Sequence, residues 1–449
     1  MVRPVCAGRK HAAPTPRRAR LCAAGAVLVL LLAGCGSSAP RSPARTTTAT
    51  RAKKAKPPQV DFYAGLPLHG PRAAQGKAVL AGIELALAQH HQHAGSFLVK
   101  LVRMDDTALV RRRHHRASYM LSPLQTARNA RRAAVDPAAV LYIGDLDSKA
   151  TRVSLPVLNL AGIAQITPGS PYIGLTQAVK GATGPSEPQI YRPSGSDSLV
   201  RLIPDDLGQA RAQLLAMQSL CLSHVIVISQ SDQEDVALAT LVAQYGKTYK
   251  LDVSPPQTKL PSKLSELATL VASFAHLSPN CFVLEGTPTS TFVALTNMLH
   301  ASYPKVRIFG SASLCNSAWT DPKRGGVLAA VDSSLYCTNP ILPLDQYSTA
   351  SSFSRAYRAM YPGSKPTTYA LYGYVAANLG LAAVRDLGPR GDDRSDVLAT
   401  LIDNQAIELG RFGALRNGTP TLYAYGLWRV DPAKGTPELA QVIDLTRSP

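Results

Sequence analysis

Short hydroxyl-bearing side chains follow two apolar segments of the chain and could hold a small anion. Ser148 comes shortly after the first segment, and Thr167, Gly169 and Ser170 come directly after the second. Hydroxyl groups, a glycine that allows close backbone approach and free N–H groups at a helix start together suit a carboxylate. The two serines could instead cap helices. The pattern therefore predicts either an anion-binding edge or two helix starts.

A parallel sheet is needed to bring these residues together. Short apolar runs, Val140 to Ile143 and Ala164 to Ile166 among them, alternate with helical patterns from Val60 almost to the end. The later runs that we predict as strands are 225–228, 249–253, 281–284, 306–310 and 327–331. This alternation favours parallel sheets joined by right-handed crossovers, and two sets of strands predict two lobes. Ligands of such sheets bind beyond the carboxyl ends of the strands, where the hydroxyl-bearing residues lie.

The sequence has few arrangements that would support catalysis or metal binding. It contains no G-x-S-x-G elbow, no G-x-x-x-x-G-K-[ST] phosphate loop and no H-E-x-x-H zinc motif. His90, His91 and His93 fall within four residues, and three helical side chains that close in sequence cannot all face one ion. His114 and His115 are better explained as a solvated surface. We therefore predict that the protein is not an enzyme and holds neither a metal ion nor a cofactor.

The N-terminus has the features of an export signal with a lipid-attachment site. A basic segment precedes an apolar run from Leu21 to Leu32, and Ala33-Gly34-Cys35 follows. As a helix the run would be about 18 Å long, too short for a hydrocarbon core of about 30 Å. Leu-Ala-Gly-Cys resembles the lipobox of bacterial lipoproteins. We predict a signal peptide over 1–34, a lipidated Cys35 on the outer face of the cell membrane, and a flexible tether over 35–58.

The net charge of +19 is concentrated in a few places. Residues 1–56 carry twelve of the 48 lysines and arginines and no acidic residue, and eight arginines lie between Arg103 and Arg132. A basic tail and one basic stretch suit anionic lipid or wall polymer better than a nucleic-acid groove. The predicted partners therefore include the lipid bilayer but no nucleic acid.

Four cysteines remain after the predicted signal and anchor, and an even number outside the cytoplasm favours disulfides. Three pairings are possible. Cys221 and Cys281 each lie just before a predicted strand, and the starts of neighbouring parallel strands lie side by side. Cys315 and Cys337 each follow a strand at the opposite end of the sheet. The geometry therefore favours the pairs Cys221–Cys281 and Cys315–Cys337.

Several motifs, in a fixed order between about Val60 and Asp444, give the chain a resemblance to type I periplasmic binding proteins. More narrowly, they resemble the receptors for leucine, isoleucine and valine of ABC importers. The motifs are Leu66-Pro67-Leu68-His69-Gly70-Pro71, Gly82-Ile83-Glu84-Leu85-Ala86, Ile143-Gly144-Asp145-Leu146-Asp147-Ser148, the stretch from Leu155 to Ile163, Thr167-Pro168-Gly169-Ser170 and Tyr372-Gly373-Tyr374-Val375-Ala376-Ala377. Each motif is short, and it is their order and spacing that carry the resemblance.

The resemblance implies an α/β fold of two lobes, each a parallel sheet flanked by helices, with three hinge crossovers. The ligand of this family lies in the cleft between the lobes, which closes by hinge motion. We place the crossovers near Gly195, Tyr336 and Arg411, which gives an N-terminal lobe of 59–195 with 337–411 and a C-terminal lobe of 196–336 with 412–449.

Three segments depart from the family's pattern at the expected site. Ser311-Ala312-Ser313 stands where relatives hold the ligand's amino group with an acidic residue, Gln230-Ser231-Asp232-Gln233 replaces a tyrosine-glycine segment, and His69 replaces a threonine. Either Glu285 or Asp232 takes the acidic role, or the ligand is not an α-amino acid. The predicted ligand-binding residues are Ser148, Thr167, Gly169, Ser170, His69, Gln230, Asp232 and Glu285.

The function that the resemblance implies is that of an extracytoplasmic solute-binding lipoprotein of an ABC importer, with the permease as its membrane partner. The ligand would be a small amino-acid-like molecule or another carboxylate or amide. The alternative is a ligand sensor or scaffold of the same fold that has no transporter, because a fold does not dictate function.

Overall fold

The computed structural model describes residues 57–111, 117–221, 224–402, 415–416, 418–420 and 424–445. The predicted signal peptide, Cys35 and nearly all of the tether lie outside the described residues. His114, His115 and the crossover predicted near Arg411 also lie outside them. Within the described ranges, no helix is both long enough and apolar enough to cross a membrane.

The first sheet has six strands in the order β2-β3-β1-β6-β7-β8, and all of its pairings are parallel except that of β2 with β3. Strands β4 and β5 form a separate antiparallel hairpin. The bounds are β1 Gln59–Leu66, β2 His93–Ala94, β3 Phe97–Asp105, β4 Thr107–Val110, β5 Ser118–Leu121, β6 Ala139–Ile143, β7 Ala164–Thr167 and β8 Leu199–Arg201. Every residue of β6 and β7 is buried, as expected for strands covered on both faces.

Three helices connect these strands: α1 Ala73–Gln89, α2 Pro123–Val135 and α3 Ser148–Leu160. Helix α2 begins where its sequence contains start signals. The Ser122 hydroxyl accepts a hydrogen bond from the Gln125 N–H at 3.3 Å, and Pro123 occupies the first turn, where its missing N–H costs nothing.

The second sheet has seven strands in the order β10-β9-β11-β12-β13-β16-β17, of which the last two pair antiparallel. Its strands are β9 His224–Ser229, β10 Asp252–Val253, β11 Cys281–Glu285, β12 Arg307–Gly310, β13 Leu335–Asn339, β16 Ala424–Asp431 and β17 Thr436–Asp444. Strands β14 Leu415–Arg416 and β15 Thr419–Pro420 form a separate small hairpin. The helices beside this sheet are α4 Asp206–Leu220, α5 Gln233–Tyr245, α6 Leu264–Ser273, α7 Ser290–Ser302 and α8 Ser317–Thr320. Helices α9 Ala350–Met360, α10 Thr368–Asp386 and α11 Arg394–Ile402 pack in the core of the first sheet. Two mostly parallel sheets flanked by helices confirm the predicted two-lobed α/β fold.

One predicted strand is wrong. Residues 327–331 do not form a strand, because Ala329–Ser334 is a 3-10 helix and the strand beside β12 is Leu335–Asn339. Val327 and Val331 are buried nonetheless. A turn can bury apolar side chains as fully as a strand can, so the apolar run alone could not distinguish the two.

Two of the three predicted crossovers lie a few residues later in the structure, because of the sheet to which a neighbouring strand belongs. Strand β8, at 199–201, pairs with β7 in the first sheet, so the chain leaves that sheet after residue 201 and not near Gly195. Strand β13 stays in the second sheet as far as Asn339, which is three residues beyond Tyr336. We therefore propose lobe boundaries a few residues later than the sequence alone suggested.

Helices α1 and α10 pack directly against each other across two glycines. A Cβ atom on Gly82 would lie 1.8 Å from the carbonyl oxygen of Ala370, and one on Gly373 would lie 1.9 Å from that of Val79. Because backbone meets backbone at both points, no larger residue fits there without separating the helices. This contact explains why a glycine stands in each of the two helical motifs.

The four cysteines of the second lobe form two disulfides, in the pairs that their spacing favoured. Cys221, which follows α4, is bonded to Cys281 at the start of β11, with the Cα atoms 5.9 Å apart. Cys315, in the turn after β12, is bonded to Cys337 in β13, with a Cα separation of 5.4 Å. The two bridges lie at opposite ends of the second sheet.

Candidate functional site

The hydroxyl groups that follow β6 and β7 converge on one backbone carbonyl. The Thr167 hydroxyl donates to the Asp145 carbonyl oxygen at 2.6 Å, and the Ser170 hydroxyl lies 3.3 Å from the same oxygen. Ser170 also hydrogen-bonds to the Thr151 hydroxyl at 2.7 Å, and all three hydroxyl-bearing side chains are buried. Gly169 packs against Leu146, where a Cβ would approach that residue's carbonyl oxygen to 2.8 Å. The structure thus brings Thr167, Gly169 and Ser170 together but ties their hydroxyls inward.

Ser148 is the first residue of α3, and it does not cap the helix. The capping residue is Asp147, whose carboxylate accepts the Lys149 N–H at 2.9 Å. The Ser148 hydroxyl is buried and accepts the Tyr172 N–H at 3.3 Å. The alternative interpretation of Ser148 and Ser170 as helix caps is therefore wrong, because neither one precedes a helix as its cap.

A fully buried arginine holds the loop that carries Ser170. Arg201, the last residue of β8, donates through Nε to the Ser170 carbonyl oxygen at 3.0 Å and through Nη2 to that of Tyr172 at 2.8 Å. Its Nη1 donates to the Thr176 hydroxyl at 2.8 Å. Arg201 was not among the predicted site residues, because nothing in its local sequence pattern distinguishes it from a surface arginine.

Two buried aspartates, Asp145 and Asp106, lie beneath this loop, and the Oδ2 atom of Asp106 has no hydrogen-bond partner among the described residues. Burial raises the pKa of Asp145 to about 6, against the opposing effect of hydrogen bonds such as that from the Ser154 hydroxyl at 2.5 Å. The pKa of Asp106 is raised well above its usual value, first by burial and then by the charge of Asp145. Because the charge of Asp145 makes ionisation of Asp106 more costly, the two carboxyl groups titrate together.

The start of α5 in the second lobe lies against the start of α3 in the first. Asp232, the N-cap of α5, forms ion pairs with Lys149 at 3.2 Å and with Arg152 at 3.7 Å. Arg152 also donates to the Gln233 side-chain oxygen at 2.9 Å. We refer to Lys149, Arg152, Asp232 and Gln233 as the interlobe contact. It places the predicted residue Asp232 against Lys149, which is the residue after Ser148.

Gln230 and Glu285 lie side by side at the carboxyl edge of the second sheet. The Gln230 N–H donates to the Glu285 carbonyl oxygen at 2.9 Å, and its side chain donates to the Thr287 carbonyl oxygen at 2.7 Å. The buried Glu285 carboxyl accepts from the Gln213 amide at 2.8 Å, and burial raises its pKa well above the usual range. Among the described residues, we find no hydrogen bond or ion pair that joins Gln230 or Glu285 to the Ser148 group.

His69 lies in a different environment. Its ring is about half exposed, with Nδ1 2.5 Å from the Asp105 carboxylate, and it stacks on Tyr119 at 4.5 Å. In the part of the chain that the structure covers, no hydrogen bond or ion pair connects it to the other predicted site residues. His69 therefore lies next to the β4–β5 hairpin and apart from the interlobe contact.

A second feature missed by the sequence analysis is a carboxylate held by four donors. Glu187 accepts hydrogen bonds from the hydroxyls of Tyr172 at 2.6 Å and Tyr191 at 2.7 Å, and from the Gly184 N–H at 2.7 Å. Gln233 of α5 adds a fourth at 3.0 Å. These bonds outweigh the effect of burial and lower the pKa of Glu187. Because Gln233 belongs to the interlobe contact, Glu187 ties the segment after β7 to the second lobe.

Metal ligation has no geometric basis in the described ranges, where no group of three or more His, Cys, Asp or Glu side chains could hold an ion. The start of α3 carries the Ser148 hydroxyl together with Lys149 and Arg152, which pair with Asp232 at the start of α5. The N–H groups of a helix start and nearby cations are the groups that suit an anionic ligand.

Comparison with solved structures shows the same fold in several proteins of low sequence identity. A leucine-binding protein from Thermotoga maritima is 18% identical, with a TM-score of 0.64, over 86% of this chain and 99% of that one. An ABC-transporter solute-binding protein from R. palustris in complex with benzoate is 16% identical, with a TM-score of 0.62, over 87% and 98%. A branched-chain amino acid transporter substrate-binding protein from Streptococcus pneumoniae, in complex with isoleucine, is 16% identical, with a TM-score of 0.60, over 86% and 99%.

Sequence comparison gives two results. A search of curated proteins finds no relative of this sequence. The family model described as periplasmic binding protein matches residues 121–421, which is more than half of the chain. The matched region includes α3, the hydroxyl groups after β7 and the start of α5. The chain therefore belongs to the periplasmic binding protein family.

Proposed function

We propose that this protein is the extracytoplasmic solute-binding component of an ABC importer and binds a small carboxylate- or amide-bearing solute between its lobes. The observation that carries the proposal is the place of Ser148. Its hydroxyl stands at the first residue of α3, at the carboxyl edge of the first sheet, and the next residue, Lys149, forms an ion pair with Asp232 at the start of α5 in the other lobe. Solutes of open α/β sheets bind at such an edge, where a helix start stabilises negative charge.

The similar structures support the same class of solute. Their descriptions name leucine, isoleucine and benzoate, which differ in shape and share a carboxylate group. A hydroxyl and a helix start recognise a carboxylate whatever the rest of the molecule is. We therefore place the anionic end of the solute at Ser148, with Thr167, Gly169 and Ser170 shaping the loop behind it.

The other end of the solute would meet the second lobe, where Gln230 and Glu285 are the candidates. Asp232 already pairs with Lys149 and Arg152, so it is less suited to an ammonium group. Glu285 is buried and its raised pKa keeps it neutral over more of the pH range, which suits a hydrogen-bonding group better than a cation. This favours a solute with an amide or hydroxyl at its second end.

The test is to identify the small molecule that copurifies with residues 57–449 by mass spectrometry and then to titrate it. We expect Ser148→Ala to weaken its binding about 10- to 150-fold, because one hydrogen bond to a charged group is lost. Ser154→Ala is the matched control, since this buried serine of the same helix bonds to Asp145 and not to the other lobe. It should lower the melting temperature and leave the affinity unchanged.

Equal affinities for wild type and Ser148→Ala would show that the Ser148 hydroxyl does not bind the solute. Wild-type protein that neither copurifies with nor binds any solute would contradict the proposed function. Solute binding combined with normal uptake in cells that lack the protein would favour a sensor over an importer.

The proposal includes a lipid anchor at Cys35, which lies outside the described residues. Cys35→Ala is expected to release the protein from membranes or to leave an unprocessed precursor. Each buried methylene of an attached chain contributes about 0.8 kcal/mol to membrane binding, and a polar tether offers nothing comparable. Membrane fractionation and the intact mass of the mature protein provide the readout. Unchanged fractionation together with an unmodified mature mass would show that Cys35 is not an anchor.

A further inference from the structure

A groove with a volume of about 910 Å³ lies on the first lobe, apart from the interlobe contact. One of its walls is an exposed face of α9, and the other is formed by the segments 343–345 and 365–366, on either side of that helix in the sequence. None of the predicted ligand-binding residues, all of which the structure describes, lines this groove. The segment 343–345 follows shortly after β13, where the chain leaves the second sheet.

The core of the first lobe determines which face of α9 borders the groove. Phe353 and Tyr357 are buried in that core and hold one face of the helix inward. Residues three, four and seven positions apart share a helix face. Four residues of the neighbouring face line the groove with this spacing: Ser351, Ser354, Arg355 and Arg358. The position of this polar wall is therefore set by the packing behind it.

Three cationic side chains line the same groove: Arg355, Arg358 and Lys365. All three residues are exposed, and within the described ranges we find no hydrogen bond or ion pair made by their side chains. Asp345 is the only acidic residue among the described lining residues, so three cations against one carboxylate leave a net charge of +2. Like charges around one groove repel each other, and a bound anion would remove that repulsion.

Stabilisation of a helix end explains only one of these cations. Arg358 lies in the last turn of α9, where the helix dipole favours a positive charge. Arg355 lies in the middle of the helix and Lys365 lies beyond its end, so neither of them has this role. The three cations have in common only the groove that they line.

A phosphate monoester matches these groups in charge and in hydrogen bonding. Each guanidinium group presents paired N–H donors that fit two phosphate oxygens, and the Lys365 ammonium adds a compact charge. The hydroxyls of Ser351 and Ser354 have hydrogens to donate in the same groove. A phosphate monoester carries about −1.5 to −2 charges at neutral pH, which balances the lining better than one carboxylate does. The groove is also large enough for the rest of a small molecule.

We propose that this groove is a second binding site of the protein and that it takes a molecule bearing a phosphate monoester. Arg355, Arg358 and Lys365 hold the phosphate group, and Asp345 opposes it. The site shares no lining residue with the interlobe contact, so it does not depend on the proposed function. Soluble phosphorylated molecules and the headgroup of phosphatidic acid both carry this group, and the experiment separates the two sources.

The experiment is calorimetric titration of the full chain with sodium phosphate at neutral pH, with sodium chloride at equal ionic strength as the reference. We expect the double variant Arg355→Gln/Arg358→Gln to weaken phosphate binding about 20-fold or more, because two charged donors are lost. Lys365→Gln, outside the helix, should weaken it about 3- to 10-fold. All three residues are exposed, so the melting temperatures should equal that of wild type.

Arg385→Gln/Arg390→Gln is the matched control. It removes the same net charge from two exposed arginines of the first lobe, which pair with Asp386 and Asp396 at 2.8 Å. Its phosphate affinity should stay within about 2-fold of wild type, because exposed charges farther from the ligand are screened by salt. Asp345→Asn should tighten phosphate binding about 2- to 5-fold, since it removes a negative charge from the lining.

Co-sedimentation with phosphatidylcholine vesicles, with and without phosphatidic acid, distinguishes the sources of the phosphate. Vesicle binding that Arg355→Gln/Arg358→Gln loses would assign the group to a lipid headgroup. Phosphate binding without such groove-dependent vesicle binding would assign it to a soluble molecule. The basic N-terminal tail is the same in every variant and cancels in the comparison.

Two results would overturn the inference. One is a wild-type protein that binds phosphate no better than chloride. The other is an Arg355→Gln/Arg358→Gln variant that binds phosphate as tightly as Arg385→Gln/Arg390→Gln does, since net charge alone would then account for the binding.

Discussion

Replacing Arg201 by methionine is expected to lower the free energy of unfolding by about 3–5 kcal/mol. The guanidinium group is fully buried and satisfies three oxygen atoms, on Ser170, Tyr172 and Thr176, at 2.8–3.0 Å. Methionine fills much of the same volume but donates no hydrogen bond, so each of the three acceptors would lose a donor, and of the two carbonyl oxygens only that of Tyr172 keeps another, the Leu175 N–H at 3.3 Å. Loss of the positive charge also removes a stabilising interaction with the neighbouring Asp205 and Asp206.

Urea denaturation of both proteins, followed by circular dichroism, measures this difference. Arg192→Met is the control, because Arg192 forms an ion pair with Asp197 at 2.6 Å but is only partly buried. Its loss is expected to cost no more than about 1 kcal/mol. A cost below about 1 kcal/mol for Arg201→Met would show that the loop after β7 is held by other contacts.

Asp106→Asn is expected to stabilise the protein at neutral pH, which is an unusual result for a buried residue. In the folded protein the pKa of Asp145 is about 6 and that of Asp106 is raised further from the ordinary value of 3.8. The folded state therefore binds more protons than the unfolded state between about pH 4 and pH 6. The free energy of unfolding must therefore fall as the pH rises through this window.

An asparagine at residue 106 carries no charge and therefore removes the repulsion. Its carbonyl oxygen can still accept the Asn129 amide hydrogen bond, which measures 2.8 Å in the structure. We expect a gain of about 2 kcal/mol at pH 7.5 and little or no gain at pH 4. Denaturant titrations of wild type and variant at both pH values give the comparison, since other titrating groups cancel in the difference.

The neighbouring Asp105 provides a control with the opposite sign. Its carboxylate accepts hydrogen bonds from His69, from the Leu68 N–H and from the Thr107 side chain and N–H, and these lower its pKa despite partial burial. Asp105→Asn should therefore destabilise the protein at neutral pH. Equal destabilisation by Asp105→Asn and Asp106→Asn would mean that the buried pair does not titrate together.

The fold could be predicted from the sequence because its strands and helices depend on local residue patterns. Apolar runs such as Val140 to Ile143 are buried strands, and Ser122 with Pro123 begins a helix as its local pattern indicates. The pairing of Cys221 with Cys281 follows from the side-by-side starts of neighbouring strands. The crossovers were harder to predict, because β8 joins the first sheet by pairing with β7, and no local feature of residues 199–201 indicates that pairing.

The candidate site was accessible only in part, for the same reason. Ser148 was found because it follows a strand and begins a helix, and both properties are local. Glu187, Arg201 and Asp106 were missed, since each acts through a partner that lies far away in the sequence. Glu187 accepts a hydrogen bond from Gln233 of the other lobe, and Arg201 meets Ser170 across 31 residues. Whether such a residue is paired, neutral or charged is decided by tertiary contacts, which residue spacing does not contain.

The placement of the two disulfides gives the halves of the molecule different requirements for folding. Both bridges lie in the second lobe, whereas the first lobe is held by the backbone-to-backbone packing of α1 on α10 and contains no cysteine. A thiol-reducing compartment removes cross-links from one half and leaves the other unaffected. Recombinant chains made in a reducing cytosol should thus have a first lobe that is fully folded and a second lobe that lacks its disulfides and is cut preferentially by proteases. Production in an oxidising compartment is required to obtain both halves in the same state.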